Sequence, residues 1–147
     1  MRIIIQNHEI LAAFISRVFL GFLFFFQGYD AVFRIGIKNV IEAAHPSFAN
    51  RGISKTVTGI GVVFTSYIQL IGGLFLIIGF VKYYTLYLLG LDLIFVAIAF
   101  GIIQPMWDMR FVFPRLVLLI FLLFVPWYWD VISVDYCWSF FKFLKSF

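Results

Sequence analysis

Four long apolar stretches alternate with polar breaks along the chain, the breaks falling at Arg34 to Lys55, at Lys82 and at Gln104 to Asp108. The pattern predicts membrane-spanning helices at about 10–29, 58–80, 83–103 and 109–129. The second stretch carries no charge, and at about 1.5 Å per residue it is long enough to cross a bilayer core of roughly 30 Å. Gln69 falls near its middle, with Thr65, Ser66, Gly72 and Gly73 three or four residues away and therefore on its face. That face predicts a helix contact: hydrocarbon offers an amide no partner, whereas small residues let a second backbone approach closely.

The first stretch places Arg17, Gly21 and Gly28 at spacings of four and seven, again on one face. Asp30 and Arg34 follow as an i, i+4 pair that reads as solvated. Next, Ile37, Val40, Ile41 and Ala44 repeat at helical spacing opposite Lys38, Asn39, Glu42 and His45, predicting a short interfacial helix that Pro46 stops. The break at Lys82 is tight, which makes the second and third spans antiparallel neighbours. Asp92 lies near the centre of the third span, and Pro114 kinks the fourth or marks its start. Pro126, Trp127, Tyr128 and Trp129 form an interfacial aromatic belt, and Lys142 and Lys145 sit among Phe and Leu in an amphipathic tail. The expected fold is all-α: one domain over residues 1–147, a polytopic four-helix transmembrane bundle with an interfacial helix and a surface-lying tail.

Composition sharpens this picture. With 64% hydrophobic and 12% charged residues the chain is far from a soluble domain, where about a quarter of residues are charged. The net charge of +4 resides between apolar segments, where it sets orientation, so nucleic acid is not an expected partner. Arg34, Lys38, Arg51, Lys55, Arg110 and Arg115 on one side face Arg2, Lys82, Lys142 and Lys145 on the other, too even a split to orient the chain. The lone Cys137 rules out an internal disulfide and a Cys-X-X-Cys pair. The start of the chain shows no small-residue cleavage site, so the first helix is expected to serve as its own signal.

Three polar side chains within the spans are the candidate site: Arg17, Gln69 and Asp92. Counted from the Lys82 side, Arg17 and Asp92 lie at depths within a few ångströms of each other, about seven and nine residues in, which predicts an ion pair. Gln69, about twelve residues in, extends the network. Intramembrane ionisable groups point to a proton or quinone site. The same residues serve equally as a buried pair that fixes helix register, with Gln69 as interhelical glue. His8 and His45 have no companions at ligand spacing, so neither a metal nor a haem site is expected. No phosphate-binding loop and no nucleophile–base arrangement occurs, and a self-sufficient catalytic constellation is not expected. The 21 phenylalanines suit a flat hydrophobic ligand such as a quinone, and equally lipid contact and core packing.

Ile15-Ser16-Arg17 with Gly21 and Gln27-Gly28-Tyr29, then Gln69-Leu70-Ile71-Gly72-Gly73-Leu74 with Leu76 and Gly79, and finally Ser133-Val134-Asp135, together resemble the DoxX family of small four-helix membrane proteins. The resemblance implies a redox association: the family includes the small subunit of an archaeal thiosulfate:quinone oxidoreductase, and related proteins accompany thioredoxin-like partners. Two positions depart from the family pattern. Gln69 stands where the family usually has Glu, and Ala31 where a Lys commonly follows the first-span Gly by three residues. Both departures remove a titratable group and weaken any proton-coupled role.

The resulting expectation is a multi-pass protein of the bacterial inner membrane, in contact with the lipid bilayer and other membrane subunits, with a homo-oligomer also open. It binds no cofactor by itself, and a quinone or lipid at the bundle surface is the ligand left open. Its role is that of a redox-linked, quinone-associated subunit or partner. The alternative is an accessory subunit that is purely structural, and a small transporter is disfavoured because only Asp92 is available to a coupling ion.

Overall fold

A computed structural model describes residues 8–103 and 112–138. The N-terminal residues, the break at Gln104-Pro105 and the Lys142/Lys145 tail lie outside the described residues. In chain order the elements are α1 (His8–Tyr29), a π-helical turn (Asp30–Arg34), α2 (Ile37–Ala49), α3 (Lys55–Ile78), α4 (Lys82–Ile103), α5 (Phe113–Phe124) and a 3-10 turn (Trp127–Trp129). Residues 134–138 are again helical, and no strand occurs among the described residues.

Three segments, His8–Arg34, Lys55–Ile78 and Lys82–Ile103, are long and apolar enough to cross a membrane, and by that length and composition this is a membrane protein. The fourth apolar element, α5, has 12 residues, and its expected beginning near Met109 lies outside the described residues. The outside of the bundle is as apolar as its core. Phe19, Tyr84 and Phe124 face outward with 56%, 73% and 82% of their surface exposed, while Arg17, Gln69 and Asp92 keep 1%, 2% and 0%. Apolar side chains cost nothing against hydrocarbon and line the outside, while polar groups that need protein partners are buried beside a core of Leu20, Phe24, Leu76, Leu86, Leu89 and Leu122.

Helices α1, α3, α4 and α5 form a ring in which α1 touches α3 and α5, and α4 touches the same two. The most extensive seam, α1 against α3, is made by glycine. A Cβ added to Gly21 would stand 2.7 Å from Ile77 Cγ1 and 2.9 Å from the Ile77 backbone nitrogen. At Gly28 it would overlap the backbone of Leu70, and at Gly73 that of Phe25. Gly72 faces the other way, where an added Cβ would meet Leu89 Cδ2 of α4 at 3.0 Å. The two glycines therefore serve different neighbours rather than one shared face. They are a single residue apart, and a helix turns about 100° per residue.

Ser54 caps α3, accepting from the Val57 backbone N–H at 3.4 Å. Gly79 ends the helix in the left-handed conformation at φ 74°, and its N–H and that of Phe80 both donate to the Phe75 carbonyl at 2.9 Å. The amphipathic α2 does not end at Pro46 as its pattern predicts. Pro46 lies inside the helix, which runs on to Ala49. The proline removes one donor in the final turn, and its carbonyl still accepts from Asn50 N at 3.2 Å.

Candidate functional site

The interior polar residues gather at two levels. At the end of the bundle holding the α3–α4 turn, Arg17 of α1 reaches across to α3 and to the segment after α5. Its Nη1 donates to the carbonyls of Leu76 at 2.8 Å and Ile77 at 3.0 Å, which the helix end leaves without intrahelical donors. Its Nε donates to Asp130 Oδ1 at 3.1 Å, and its Nη2 to the Ile132 carbonyl. Lys82, at the start of α4, lies 3.3 Å from the other Asp130 oxygen. All three side chains are buried, at 1%, 6% and 4% exposure.

Gly79 makes this approach possible. An added Cβ would fall 2.5 Å from Arg17 Nη1 and 2.7 Å from Ser133 Cβ, so both its positive φ and its missing side chain are needed. Val81, two residues on, holds φ at 49°, a rare conformation for a β-branched residue. Asp135 stabilises it: its two carboxylate oxygens accept from the backbone N–H groups of Val81 and Lys82, each at 2.9 Å. A carboxylate there also faces the positive end of the α4 dipole. Ser133 Oγ donates to the Asp130 carbonyl at 2.7 Å and accepts from Tyr136 N at 3.2 Å, which shapes the segment carrying both aspartates. Asp135→Ala is expected to cost about 1–2 kcal/mol, the range of a lost helix cap. Thermal unfolding in detergent would measure it, and an unchanged midpoint would refute the cap.

Deeper in the bundle, Gln69 Nε2 of α3 donates to Asp92 Oδ2 of α4 at 2.7 Å. Thr65 stands beside the same carboxylate, Arg115 lies within electrostatic reach of it, and Asp92 Oδ1 has no hydrogen-bond partner among the described residues. Arg115 of α5 donates through Nη1 to Gln27 Oε1 of α1, and its guanidinium carbon lies 5.6 Å from the centre of the Phe24 ring.

Of the three expected site residues, Gln69 and Asp92 come together, whereas Arg17 pairs with Asp130 instead of Asp92. Two facts separate Arg17 from Asp92. Arg17 sits level with Leu76 while Asp92 sits level with Gln69, seven residues or about 10 Å deeper along α3. Moreover, α1 and α4 stand diagonally in the ring. Asp130 was missed, although charge balance could have found it. Arg17 and Lys82 lie at the same end, and the carboxylates following the last apolar stretch are Asp130 and Asp135. The Asp30–Arg34 pair, just past the far end of α1 from Arg17, stands at 3.6 Å with side chains 44% and 77% exposed.

In comparisons with known proteins, no family model, no curated protein and no solved structure matches this chain.

Proposed function

We propose that this chain is a DoxX-like subunit of a bacterial inner-membrane assembly, crossing the membrane four times and acting through a redox partner rather than by chemistry of its own. One observation carries the reading. Residues from all three sequence segments that resemble the family meet in one place: Arg17, Gly79, Ser133 and Asp135 form a single clasp although more than a hundred positions separate the first from the last. Motifs scattered along a chain converge in this way when they belong to one framework.

Asp92 bears on what that framework does. A wholly buried carboxylate with one oxygen bonded to Gln69 and the other without a hydrogen bond among the described residues suits a group that takes part in the work of an assembly. The rival reading, a purely structural subunit, is favoured by Arg17, each of whose three guanidinium nitrogens donates to a protein oxygen. Copurification from native membranes under mild detergent tests the first reading directly. A redox-active partner is expected, and the isolated chain is expected to show no redox spectrum and no quinone turnover; turnover by the chain alone would refute it. Asp92→Asn separates the two readings: unchanged assembly with lost activity of the complex supports a participating carboxylate, and unchanged activity supports the structural role.

A further inference from the structure

A groove of about 640 Å³ opens beside α1, walled by the exposed Phe22 and Phe26 and by Ala31, with Gln27, Asp30 and Arg115 as its polar lining. Its polar part lies at the level of the interior carboxylate. A Cβ on Gly28 would overlap the backbone of Leu70, so Gln27 stands level with Gln69 and hence with Asp92. Arg115 belongs to both places: it lines the groove and donates to Gln27, and it lies within electrostatic reach of Asp92. The half-exposed Asp30 completes a polar series that runs from the surface through Gln27 and Arg115 to the interior. A cavity of this size has room for several waters at about 30 Å³ each, and its three polar side chains give them partners.

Asp92 differs from the two aspartates of the clasp in what a proton would displace. Asp130 is bonded to Arg17 through one oxygen and paired with Lys82 through the other, and both oxygens of Asp135 accept backbone N–H groups, so a proton on either residue would break an existing contact. Asp92 Oδ2 accepts from Gln69 at 2.7 Å while Oδ1 has no hydrogen bond among the described residues, so Oδ1 can take a proton and Oδ2 keep its bond. From α3 the carboxylate meets the neutral Gln69 and Thr65; from α5 it meets the guanidinium of Arg115, the one charged group among the described residues within reach of it. Burial away from water disfavours a carboxylate and a nearby cation stabilises one, and Asp92 is subject to both. The cation is also not fixed to it, because the hydrogen bond of Arg115 goes to Gln27.

We infer that Asp92 is a proton-binding site, loaded through this groove past Arg115. Loading forms an O–H bond at Oδ1 with a proton from water in the groove and turns the carboxylate into a neutral acid; release returns the proton to that water. Such a site deepens the participating-carboxylate reading on which it rests. It is measured on the chain alone, so its failure is separate from failure to find a redox partner.

The test is infrared spectroscopy of the full-length chain in lipid vesicles, titrated from mildly acidic to mildly alkaline pH. A carboxylic-acid C=O band is expected to appear and vanish reversibly, and to be missing in Asp92→Asn. Arg115→Gln is expected to hold that band across the whole range, and Arg115→Lys to restore its titration. Access is read separately with the lipid-soluble dicyclohexylcarbodiimide, which couples to a protonated carboxyl group; an adduct located at Asp92 by tandem mass spectrometry is expected. Ala31→Phe, which narrows the groove from its wall, is expected to slow that adduct several-fold while the helical circular dichroism holds. It decides the matter if Arg115→Gln fails to fold. A band that never changes with pH, a band that persists in Asp92→Asn, a titration unmoved by Arg115→Gln, or an adduct rate unmoved by Ala31→Phe would each overturn the inference.

Discussion

Arg17→Ala is expected to remove about 3–5 kcal/mol of bundle stability, the usual cost of leaving one member of a buried ion network without its partner. The guanidinium donates to Asp130 and to the carbonyls of Leu76, Ile77 and Ile132, so its loss strips four acceptors in a water-poor interior at once. Lys82 alone would then face Asp130, at 3.3 Å. Arg17→Lys should rescue little, because an ammonium on a flexible stem cannot span acceptors on α3 and on the segment after α5 as a planar fork does. A double-mutant cycle measured by reversible unfolding in micelles identifies the partner. Arg17 with Asp130 should couple by about 1–3 kcal/mol, and Arg17 with Asp92 should add within about 0.5 kcal/mol. Coupling to Asp92 in place of Asp130, or a loss below about 1 kcal/mol for Arg17→Ala, would show that the clasp is wrongly described.

The second large effect is expected at the glycine seam. Gly73→Leu drives a side chain into the backbone of Phe25, which cannot move without displacing α1, and a loss of about 3 kcal/mol or more is expected, with failure to assemble as the extreme. Gly72→Leu meets the flexible end of Leu89, 3.0 Å from an added Cβ, and should cost less. Gly61→Leu meets nothing within 4 Å and should be neutral, or stabilising by up to about 1 kcal/mol through helix propensity alone. Unfolding midpoints of the three variants should follow that order. A Gly73→Leu protein as stable as Gly61→Leu would remove the α1–α3 seam from the account.

The ring arrangement explains why the two polar levels have separate partners. Gln69 and Asp92 belong to adjacent antiparallel helices joined by a tight turn, so a register set at Gly79 brings them level. Arg17 belongs to α1, and its own partners lie at the end of α3 and in the segment after α5. The segment from Asp130 to Asp135 therefore binds α1 through Arg17, the α3–α4 turn at Gly79, and α4 through Lys82. Truncation before Asp130 would remove all of those ties together.

Local chemistry was legible in the sequence wherever the controlling interaction is short in range or set by the solvent. The first three long apolar stretches, the amphipathic face of α2 and the close helix contacts at the glycines 21, 28, 72 and 73 follow from hydropathy, helical spacing and the absence of a side chain. Partner choice among buried charges was not legible. It depends on which helices are neighbours in the ring and on axial offsets of a few residues, and depth counted along isolated helices cannot supply either quantity. The sequence alone determined that Arg17, Gln69 and Asp92 must turn inward, because lipid solvates none of them. Only the tertiary structure decided that Arg17 belongs to Asp130 and Asp92 to Gln69: a charge–carboxylate contact needs approach within about 4 Å, and helix packing and the return of the chain after α5 set that distance.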